Sequence, residues 1–491
     1  MQENFTPDDL LKIVSVSDDS VVVTDFLSDE TNLMLFIQKK EQICFCEECG
    51  TRMRSKGSRE RVVNHPILQD GRHVTLYLKT WKWHCPVCGA YCYDQFNFVE
   101  PAKKNSDLGI YILLEKMRDL NKTAVQIANE LNVSDTYVHE TFMRYVDMER
   151  LPLGSVLSID EVHLKFDRND LYSIVLMDWQ TGDIIDILPN RFKETILTYF
   201  SKIPKEERNG VRYLVSDMYD TYTDLAGTVF PNAVSVIDCF HHTQPLIEMI
   251  LAYVRKVEKR YKERDEKRRQ EKNFTTNRDH KTIKQSREVR LLKKYRWLIT
   301  KNYDDIEYVS EYRHIQGRGG GWFSLENIEK EFMELDPNFR KIRDLKEKYI
   351  QFTHSYVNDR EGAARRLDEL IKEYSECDIH LFREFAQKLM DHREGIINSF
   401  IYLEATRENE NDAVLRRISN GPMEGYNVKP KNLKRNSKGV RNFSYTRNRL
   451  LFATRKDKTF HYVNKTKAEI HTPGKKRGPY KKKKKEEASE N

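Results

Sequence analysis

Three acidic residues, Asp160, Asp217 and Glu424, have the side-chain type and the setting that cleavage of a phosphodiester requires. Asp160 and Asp217 end the apolar runs 155–160 and 211–217, and Glu424 comes just before a segment rich in Lys and Arg. Carboxylates at strand ends beside concentrated positive charge suit two-metal chemistry on a phosphate, because their oxygens are the ligands that Mg²⁺ prefers. The sequence therefore predicts two Mg²⁺ (or Mn²⁺) ions, with Asp160 between them and Asp217 and Glu424 each on one ion.

The alternation of apolar residues predicts the elements that bring these acids together. Strands are predicted over residues 156–166, 171–179 and 183–188, a helix over 192–203, a strand ending at Asp217, a further helix, and a strand over 233–237. Three antiparallel strands followed by alternating helices and strands is the order of a ribonuclease H-like α/β sheet, which is the fold class predicted for the core. In that fold the first strand lies beside the fourth, so Asp160 and Asp217 would meet.

Asp238 and His241 follow directly after the strand predicted over residues 233–237. Beside a metal site, such a histidine could orient a carboxylate or approach the scissile phosphate. It could equally be a buried histidine that is hydrogen-bonded within the fold. The sequence leaves both interpretations of this pair open.

The chain has eight cysteines, and four of them form two Cys-x-x-Cys pairs, Cys46 with Cys49 and Cys85 with Cys88. Residues 74–78 and 80–83, between the pairs, alternate as strands do. Two such pairs bracketing strands predict a tetrahedral Cys₄ site for structural Zn²⁺, since each pair presents two thiolates to one ion. The alternative is a set of reduced thiols without a metal, and Cys44, Cys92 and His84 are nearby substitutes as ligands.

Helical periodicity begins after Pro101, with apolar residues on one face of a helix that ends near Leu131. The turn 132–134 follows, and Ser134 is a good N-cap for a second helix over residues 135–148. Helix, short turn and helix is the pattern of a helix-turn-helix, in which the second helix reads a DNA groove. The side chains predicted to contact DNA there are Thr136, Tyr137, His139 and Arg144. The alternative is a plain helical hairpin.

Positive charge is concentrated after Glu424, at Lys429, Lys431, Lys434, Arg435, Lys438, Arg441, Arg447 and Arg449. Few acids are interspersed, so this segment is predicted to contact the phosphate backbone of a nucleic acid. Tyr426, Phe443 and Tyr445 are available in the sequence for stacking on unpaired bases. A second basic run, 475–485, predicts a general electrostatic tether to DNA.

The composition bounds the class of protein. The 491 residues are enough for about three domains, and 33% of them are charged, with a net charge of only +8. The chain is therefore unlike a histone-like polycation, and its positive charge is local. No run of about 18 apolar residues predicts a membrane span, and residues 1–9 are unlike a secretory signal. We expect a cytoplasmic protein that acts at the bacterial nucleoid, without membrane partners.

The expected domain order combines these elements into one α/β chain. It comprises an N-terminal segment (1–40), a zinc-binding domain (41–100), a helix-turn-helix DNA-binding domain (101–150), the first part of the ribonuclease H-like core (151–245), a helical insertion (246–410), the last part of the core with Glu424 (411–455) and a basic disordered tail (456–491). The predicted architecture is thus a ribonuclease H-like catalytic core with a large helical insertion, preceded by a small zinc-binding domain and a helix-turn-helix.

At these residues the sequence resembles the ISL-three family of bacterial insertion-sequence transposases, which belong to the DDE class. The likeness is carried by the cysteine pairs and by residues 159–161, 215–218, 230–233, 238–241, 420–427 and 434–443. The resemblance implies that Asp160, Asp217 and Glu424 occupy the catalytic positions of the family. Pro430 departs from the family pattern, which usually has an apolar residue there. A proline lacks an N–H donor and should end or kink the helix that carries Glu424.

The resemblance implies a DNA transposase that binds the terminal inverted repeats of an insertion sequence and catalyses metal-dependent cleavage and strand transfer. Its partners would be double-stranded DNA, both terminal repeats and target, and further copies of itself on the synapsed ends. The alternative is a zinc and helix-turn-helix DNA-binding regulator with an inactive nuclease-like core. A related structure-specific nuclease without strand transfer is a third interpretation. The intact acidic set favours an enzyme over a regulator, and the domain order argues against a simple nuclease.

Overall fold

The strands and helices of the chain fall into two units in the computed structural model. The first comprises residues 1–149, 164–168 and 428–491, and the second comprises residues 150–163 and 169–427. The structure describes residues 7, 9–271, 286–308, 312–315, 321–406, 410, 412–455, 463 and 465–470. Each unit buries its own apolar residues, and the candidate catalytic acids belong to the second.

The first unit begins with a short helix and a five-stranded sheet. Its elements are α1 (Asp9–Ile13), β1 (Val21–Ser28), β2 (Asn32–Lys39), β3 (Arg54–His65), β4 (His73–His84) and β5 (Tyr91–Tyr93). The strand order is β1-β2-β4-β3, with β5 pairing β4, and β2 runs parallel to β4. Alternate residues of β4, such as Val74, Leu76 and Leu78, are buried, as the sequence pattern predicts. The expected boundary at residue 40 does not separate two sheets, because strands from both sides of it pair with each other.

Three helices follow, α2 (Asp107–Met117), α3 (Ala124–Leu131) and α4 (Asp135–Tyr145). Thr123 and Gln126 form a capping box at the start of α3, and Asn132 ends that helix in the left-handed region with φ 52°. Ser134 accepts a hydrogen bond from the Tyr137 N–H and caps α4. The predicted helix, turn and helix are therefore present, with their boundaries set by local capping.

The sheet of the second unit carries Asp160 and, directly after one of its strands, Asp217. Its elements are β6 (Val156–His163), β7 (Tyr172–Asp178), β8 (Ile184–Leu188), α5 (Lys193–Ser201), α6 (Lys205–Gly210), β9 (Tyr213–Ser216), α7 (Asp220–Thr223), α8 (Leu225–Thr228) and β10 (Val234–Ile237). The strand order is β10-β9-β6-β7-β8. The first three strands pair antiparallel, and β9 and β10 are parallel to their neighbours. The predicted strands, and the neighbourhood of the first and fourth, are confirmed.

A largely helical region continues the second unit. It contains α9 (Cys239–Glu271), α10 (Arg287–Lys294), α11 (Trp297–Thr300), a 3₁₀ turn (Tyr303–Asp305), β11 (Tyr312–Ile315), β12 (Gly321–Ser324), α12 (Leu325–Met333), α13 (Phe339–His354), α14 (Arg360–Ser375), α15 (His380–Asp391), α16 (Arg393–Asn398), β13 (Tyr402–Ala405) and β14 (Val414–Arg417). One apolar core joins its helices, with residues such as Leu298, Phe332 and Phe385 fully buried. Although α9 has 33 residues, none of the helices in the described part of the chain is both long and apolar enough to cross a membrane.

The last helices are α17 (Gly421–Asn436), α18 (Phe443–Thr454) and α19 (Lys467–Ile470). Of the two effects expected of Pro430, an end or a kink of its helix, the end is wrong, because α17 continues to Asn436; the kink stays a prediction. The expected disorder of residues 456–491 is corrected for α19: Ile470 is fully buried and its carbonyl accepts from Asn442 Nδ2 at 2.9 Å. The basic run 475–485 lies outside the described residues.

Candidate active site and nucleic-acid-binding residues

Three carboxylates form a row across the sheet of the second unit. Asp160 lies inside β6, Asp217 follows the last residue of β9, and Asp238 follows the last residue of β10. The parallel registers of β6 with β9 and of β9 with β10, continued past the ends of β9 and β10, set these residues level with one another. Residues at the same level of neighbouring strands point to the same face, so the sheet gathers acids that are far apart in sequence.

Asp160 is strongly affected by its surroundings. Burial raises the pKa of Asp160 to about 6, and the charges of Asp217 and Glu161 also raise it, while His241 acts in the opposite direction. A carboxyl group in a poorly solvated, acidic environment resists ionisation, and it binds a cation only after losing its proton. The surroundings of Asp160 are therefore ones in which a bound divalent ion would be stabilising.

Glu161, the next residue of β6, is held by an ion pair and a hydrogen bond. Arg191 Nη1 lies 2.9 and 3.1 Å from its two carboxylate oxygens, and the Tyr222 hydroxyl donates to it at 2.9 Å. Burial raises the pKa of Tyr222, so this hydroxyl keeps its proton and remains a donor. These contacts connect β6 to α7 beside Asp160. Sequence reasoning gave Arg191 and Tyr222 no role, because nothing local to either residue indicates the contact.

The N-terminus of α17, which carries Glu424 in its first turn, is fixed to the sheet through Asn420. The backbone N–H of Asn420 donates to Asp238 Oδ1 at 2.9 Å, and its side-chain Nδ2 donates to the carbonyl of Ile159 at 3.3 Å. Asn420 itself is fully buried. Two strands of the sheet, β6 and the end of β10, therefore determine where the helix begins.

Asn427 joins the same helix to Asp160. It lies one turn after Glu424, is 2% exposed, and donates from Nδ2 to Asp160 Oδ2 at 2.7 Å. Residues one turn apart lie on the same side of a helix, so Glu424 and Asn427 both face the carboxylates of the sheet. No role was predicted for Asn427 although it ends the motif 420–427. Its helical spacing from Glu424 is the signal that could have found it.

Glu424 comes together with Asp238 and His241. One ligand atom from each of these three residues lies within 4.8 Å of the other two. The predicted catalytic residues are thus distributed along the row: Asp160 and Asp217 are on neighbouring strands, and Glu424 is at the Asp238 end. Carboxylate oxygens and an imidazole nitrogen are donors that divalent ions such as Mn²⁺ accept, so the residues fit a metal centre.

The two neighbouring histidines differ in their surroundings. His242 is fully buried, its Nδ1 is 2.9 Å from the Tyr349 hydroxyl, and burial lowers its pKa to about 3. His241 is half-buried, and its Nε2 has no hydrogen-bond partner in the described part of the chain. A buried nitrogen without a partner carries a free-energy cost that a ligand would remove. The buried structural histidine of this segment is His242, while the role of His241 stays a prediction.

The four predicted zinc ligands form one cluster. Ligand atoms of Cys46, Cys49, Cys85 and Cys88 all lie within 4.8 Å of one another. The Sγ atoms of Cys46 and Cys88 are 3.4 Å apart, as are those of Cys49 and Cys85, and Cys49 lies 3.8 Å from Cys88. A tetrahedral zinc with bonds of about 2.3 Å needs sulfur–sulfur distances of about 3.8 Å, so the four thiols fit this ion.

Each cysteine pair is closed by the same turn. The N–H of Gly50 donates to the Cys46 carbonyl at 2.8 Å, and that of Gly89 donates to the Cys85 carbonyl at 3.1 Å. Both glycines have positive φ, 66° and 77°, where a side chain would be strained. The Cys-x-x-Cys-Gly spacing therefore aims both thiols of a pair at one point.

The residues predicted to read DNA differ in their accessibility. Thr136 is exposed near the start of α4, whereas Tyr137, His139 and Arg144 are half-buried. The His139 ring stacks on Tyr445 with centroids 4.4 Å apart, and Arg144 lies 3.6 Å from the carboxylate of Glu140. A DNA contact by any of the four stays a prediction, with Thr136 the most accessible.

The basic segment after Glu424 is mostly on the surface. Its exposed members are Lys429, Lys431, Arg435, Lys438 and Arg441, and Lys434 is half-buried. Exposed cations with few acids between them suit contact with a phosphate backbone. These six residues therefore remain candidates for binding nucleic acid.

Other residues of this segment turn inward, contrary to expectation. Arg449 is 1% exposed and donates to three carbonyls at the end of α2 and in the loop after it, those of Met117, Asp119 and Lys122. Arg447 donates to the Met148 carbonyl at 2.8 Å. Arg449 is buried and therefore stabilises the first unit instead of contacting phosphate. A phosphate contact by the half-buried Arg447 stays a prediction.

All three predicted base-stacking aromatics have contacts or burial within the fold. Tyr426 is 6% exposed, and Tyr445 packs on His139 and on the edge of Phe142. Phe443 packs against Phe166 at 5.2 Å, edge to face. The expectation that Tyr426 and Tyr445 are available for stacking on bases is therefore wrong.

Comparison with known proteins adds an independent observation. The family model of the ISL-three DDE group, described as a transposase, matches residues 157–450, which is more than half of the chain. The chain is also 22% identical over 283 residues to the transposase for insertion sequence element IS1001 of Bordetella parapertussis. That similarity covers 56% of this chain and 63% of the relative, so the chain spans less than two thirds of the relative's length.

Proposed function

This chain belongs to the ISL-three family of transposases, and we propose that it binds the terminal inverted repeats of an insertion sequence, cleaves the DNA at the element ends and transfers the strands. The single observation that carries the proposal is the row of Asp160, Asp217 and Asp238, with the helix of Glu424 fixed beside it. Concentrated carboxylates of this kind are costly to a fold without cations, and they are what phosphoryl transfer requires.

The proposed catalytic residues are Asp160, Asp217 and Glu424, which would hold two Mg²⁺ or Mn²⁺ ions. Such ions activate a water or a 3′-hydroxyl and stabilise the departing oxygen of the phosphodiester. Asp160, the member of the row that Asn427 of α17 reaches, would be one of the residues that hold the ions. Glu424 would contribute from the Asp238 end.

Asp238, His241 and Asn427 are proposed to position this set. Asp238 accepts the Asn420 N–H and so fixes the first turn of α17, which carries Glu424. Asn427 holds one oxygen of Asp160. His241, within 4.8 Å of Glu424 and Asp238, would orient their carboxylates or join them as a ligand.

The proposed core is ribonuclease H-like, with the helical region 246–410 inserted before its last acid. The order β10-β9-β6-β7-β8, with the acids on the central strands, supports this assignment. The other proposed domains are a zinc-binding domain and a helix-turn-helix before the core. The mutual distances of the four cysteine thiols and the capped helices α3 and α4 support them.

The proposed partner is double-stranded DNA, both the inverted repeats and the target. Thr136 at the start of α4 and the exposed cations after Glu424 are the candidate contacts. Structural Zn²⁺ would be held by Cys46, Cys49, Cys85 and Cys88. A further proposed partner is another copy of the protein on the synapsed element ends, and the proposed place of action is the bacterial cytoplasm, at the nucleoid.

Excision of a marked element with its natural flanking DNA tests the proposal. Wild-type protein is compared with Glu424→Gln, which keeps the shape of the side chain but removes its charge. We expect excision by the wild type and a loss on the order of 100-fold or more in the variant, because a metal-binding carboxylate is lost. Binding of both proteins to the flanking DNA is measured in parallel.

The matched control is Glu404→Gln, since Glu404 is an exposed glutamate of β13 in the same unit. This control should excise like the wild type. Equal excision by wild type and Glu424→Gln would show that Glu424 is not catalytic. If neither protein excised the marker although both bound the flanks equally, the DNA-binding regulator would be the better interpretation.

A further inference from the structure

A second group of sulfur atoms lies beside the four-cysteine cluster. It consists of the thiols of Cys44 and Cys92 and the thioether of Met53, and it is named the Cys₂Met group here. The two Sγ atoms are 3.4 Å apart, and Met53 Sδ lies 3.6 Å from Cys44 Sγ and 3.5 Å from Cys92 Sγ. Three sulfur atoms therefore converge on one point, and none of them belongs to the four-cysteine cluster.

The backbone holds the members of the Cys₂Met group in place. The Met53 N–H donates to the Cys44 carbonyl at 2.8 Å, and Cys92 pairs with Trp83 in the ladder of β4 and β5. Met53 and Trp83 are each 5% exposed in the small core around the two Cys-x-x-Cys pairs, whereas Cys44 and Cys92 are half-buried. The donors are thus fixed before any ligand binds, and solvent can reach two of them.

We propose that the Cys₂Met group binds one soft monovalent cation, Cu(I), for which Ag(I) is a chemical analogue. Thiolate and thioether sulfur select Cu(I) over harder ions. A trigonal ion with metal–sulfur bonds of about 2.3 Å needs sulfur–sulfur distances of about 4 Å. The observed 3.4 to 3.6 Å distances reach this geometry when each sulfur moves outward by a few tenths of an ångström.

The chemistry balances without a redox partner. Binding converts the thiols of Cys44 and Cys92 to thiolates, and both protons pass to solvent, while the Met53 thioether binds unchanged. No electron is transferred. A disulfide between the cysteines would need an oxidant and a sulfur–sulfur distance of about 2 Å, and it would give Met53 no part, although Met53 contacts both thiols.

The Cys₂Met group would add a second cross-link to the N-terminal sheet. Cys44 precedes the first Cys-x-x-Cys pair, and Cys92 lies in β5, after the second pair. A cation between them joins the same two parts of the chain that zinc joins. Bound Cu(I) should therefore raise the unfolding temperature of the zinc-loaded protein, since a ligand that binds only the folded state stabilises it.

The test is a titration of full-length, zinc-loaded protein with Cu(I) under anaerobic conditions, buffered by a chromogenic Cu(I) chelator. Native mass spectrometry counts copper and zinc on each chain. We expect one Cu(I) bound with zinc retained. Cys44→Ser and Cys92→Ser should abolish this binding, and Met53→Leu should weaken it at least tenfold while keeping the volume of the side chain.

Matched controls come from sulfur-containing residues elsewhere in the chain. Cys377→Ser and Met148→Leu change one sulfur each outside the Cys₂Met group, and both should bind Cu(I) like the wild type. Zinc content shows whether each variant has folded. If Cys44→Ser or Cys92→Ser loses zinc, the wild type and Met53→Leu decide the question through X-ray absorption, with three sulfur ligands expected on copper in the wild type and two in the variant.

Three results would overturn the proposal. The first is the release of one zinc for each copper taken up, to the same extent in the wild type and in Met53→Leu. It would assign the copper to the four-cysteine cluster. The second is a decrease in mass by two hydrogen atoms without copper uptake, which would identify a disulfide. Two or four sulfur ligands on copper in the wild type would exclude the Cys₂Met group as the site.

Discussion

At the scale of single residues, the candidate site concentrates groups that destabilise the fold in the absence of cations. Asp160, Asp217 and Asp238 lie on three neighbouring strands, and Asp160 is poorly solvated. Burial, together with the charges of Asp217 and Glu161, disfavours the ionisation of Asp160. The raised pKa of Asp160 is the measurable sign of this cost, and it predicts how stability depends on pH.

Replacing Asp160 with Asn should stabilise the metal-free protein at neutral pH. The folded-state pKa of Asp160, about 6, is above the usual value of 3.8. The folded state therefore holds this proton more tightly, and stability is lost as pH rises from about 4 through 6. Asp160→Asn removes that loss, so we expect a gain of up to about 3 kcal/mol at pH 7.5 and none near pH 3.5. Urea unfolding in a chelator, at several pH values, measures it.

The control for this experiment is Glu206→Gln, because Glu206 is an exposed acid on α6. It should show no comparable dependence on pH. A gain in Asp160→Asn that is the same at every pH would contradict the prediction. Added Mg²⁺ should stabilise the wild type and leave Asp160→Asn unchanged, since the cation then offsets the repulsion only where the carboxylate is present.

Asn427 should affect metal binding more than folding. Asn427→Leu removes the donor that lies 2.7 Å from Asp160 Oδ2 and adds no charge. Residues that hold a metal-binding carboxylate are typically worth about 10- to 100-fold in metal affinity or activity. We expect the Mg²⁺ concentration for half-maximal excision to rise by about that factor. Asn432→Leu, later in the same helix, should leave it unchanged, and an unshifted metal dependence in Asn427→Leu would reject the role.

At the scale of elements, α17 and α18 depart from the sequence-based expectation. A proline inside a helix costs about 3 kcal/mol relative to alanine, yet α17 continues past Pro430, whose ring is buried. Local propensity alone therefore does not decide where this helix ends. In α18 the amphipathic pattern is weak because several polar residues, Arg449 among them, face inward and satisfy backbone carbonyls.

Two arginines of the basic segment should therefore behave in opposite ways. Arg449→Met removes the buried guanidinium that donates to the carbonyls of Met117, Asp119 and Lys122, and we expect it to destabilise the first unit by about 1–3 kcal/mol. Arg441→Met, at an exposed position, should leave stability unchanged but weaken DNA binding and lower the salt slope by about one. Thermal unfolding and DNA binding at several salt concentrations distinguish the two. Equal stability losses would refute this division.

At the scale of the whole molecule, both units have large apolar cores, but one region of the first unit has none. The second unit has cores in its sheet and among its helices, and the first has one in its sheet and one among its helices. Around the two Cys-x-x-Cys pairs of the first unit, the core is small and consists of cysteines, Met53 and Trp83. So small a core contributes little hydrophobic free energy, and a bound metal commonly compensates for this in small domains.

Removal of zinc should therefore affect one unit selectively. We expect a strong chelator to lower the unfolding temperature of the first unit by several degrees or more and to weaken DNA binding, while the unfolding of the second is unchanged. Cys88→Ser should reproduce the effect, and Cys377→Ser, in the second unit, should not. Calorimetry with zinc analysis measures it. A chelated, zinc-free protein with unaltered unfolding and DNA binding would contradict it.

Local signals explain which parts of the fold could be predicted. Short apolar runs bounded by turn residues located β6, β7, β8 and β9, because strands that are buried on both faces carry apolar residues at nearly every position. Ser134 marked the start of α4 through a hydrogen bond to a residue three positions away. The inward turn of Arg449 was not predictable in this way, since its acceptors lie at the end of α2 and in the loop after it, far away in sequence.

The sequence by itself determined the acids, the cysteine pairs and the strands and helices that carry them, because these depend on residue type and on spacing within a few positions. Only the tertiary structure decided that Asn420 and Asn427 fix the helix of Glu424. It also decided that His242 is the buried partner of Tyr349, and that the two thiols and the thioether of the Cys₂Met group meet beside the Cys-x-x-Cys pairs. Each of these contacts joins residues that are far apart in the chain. Their meeting is set by strand register and helix packing, which local patterns do not encode.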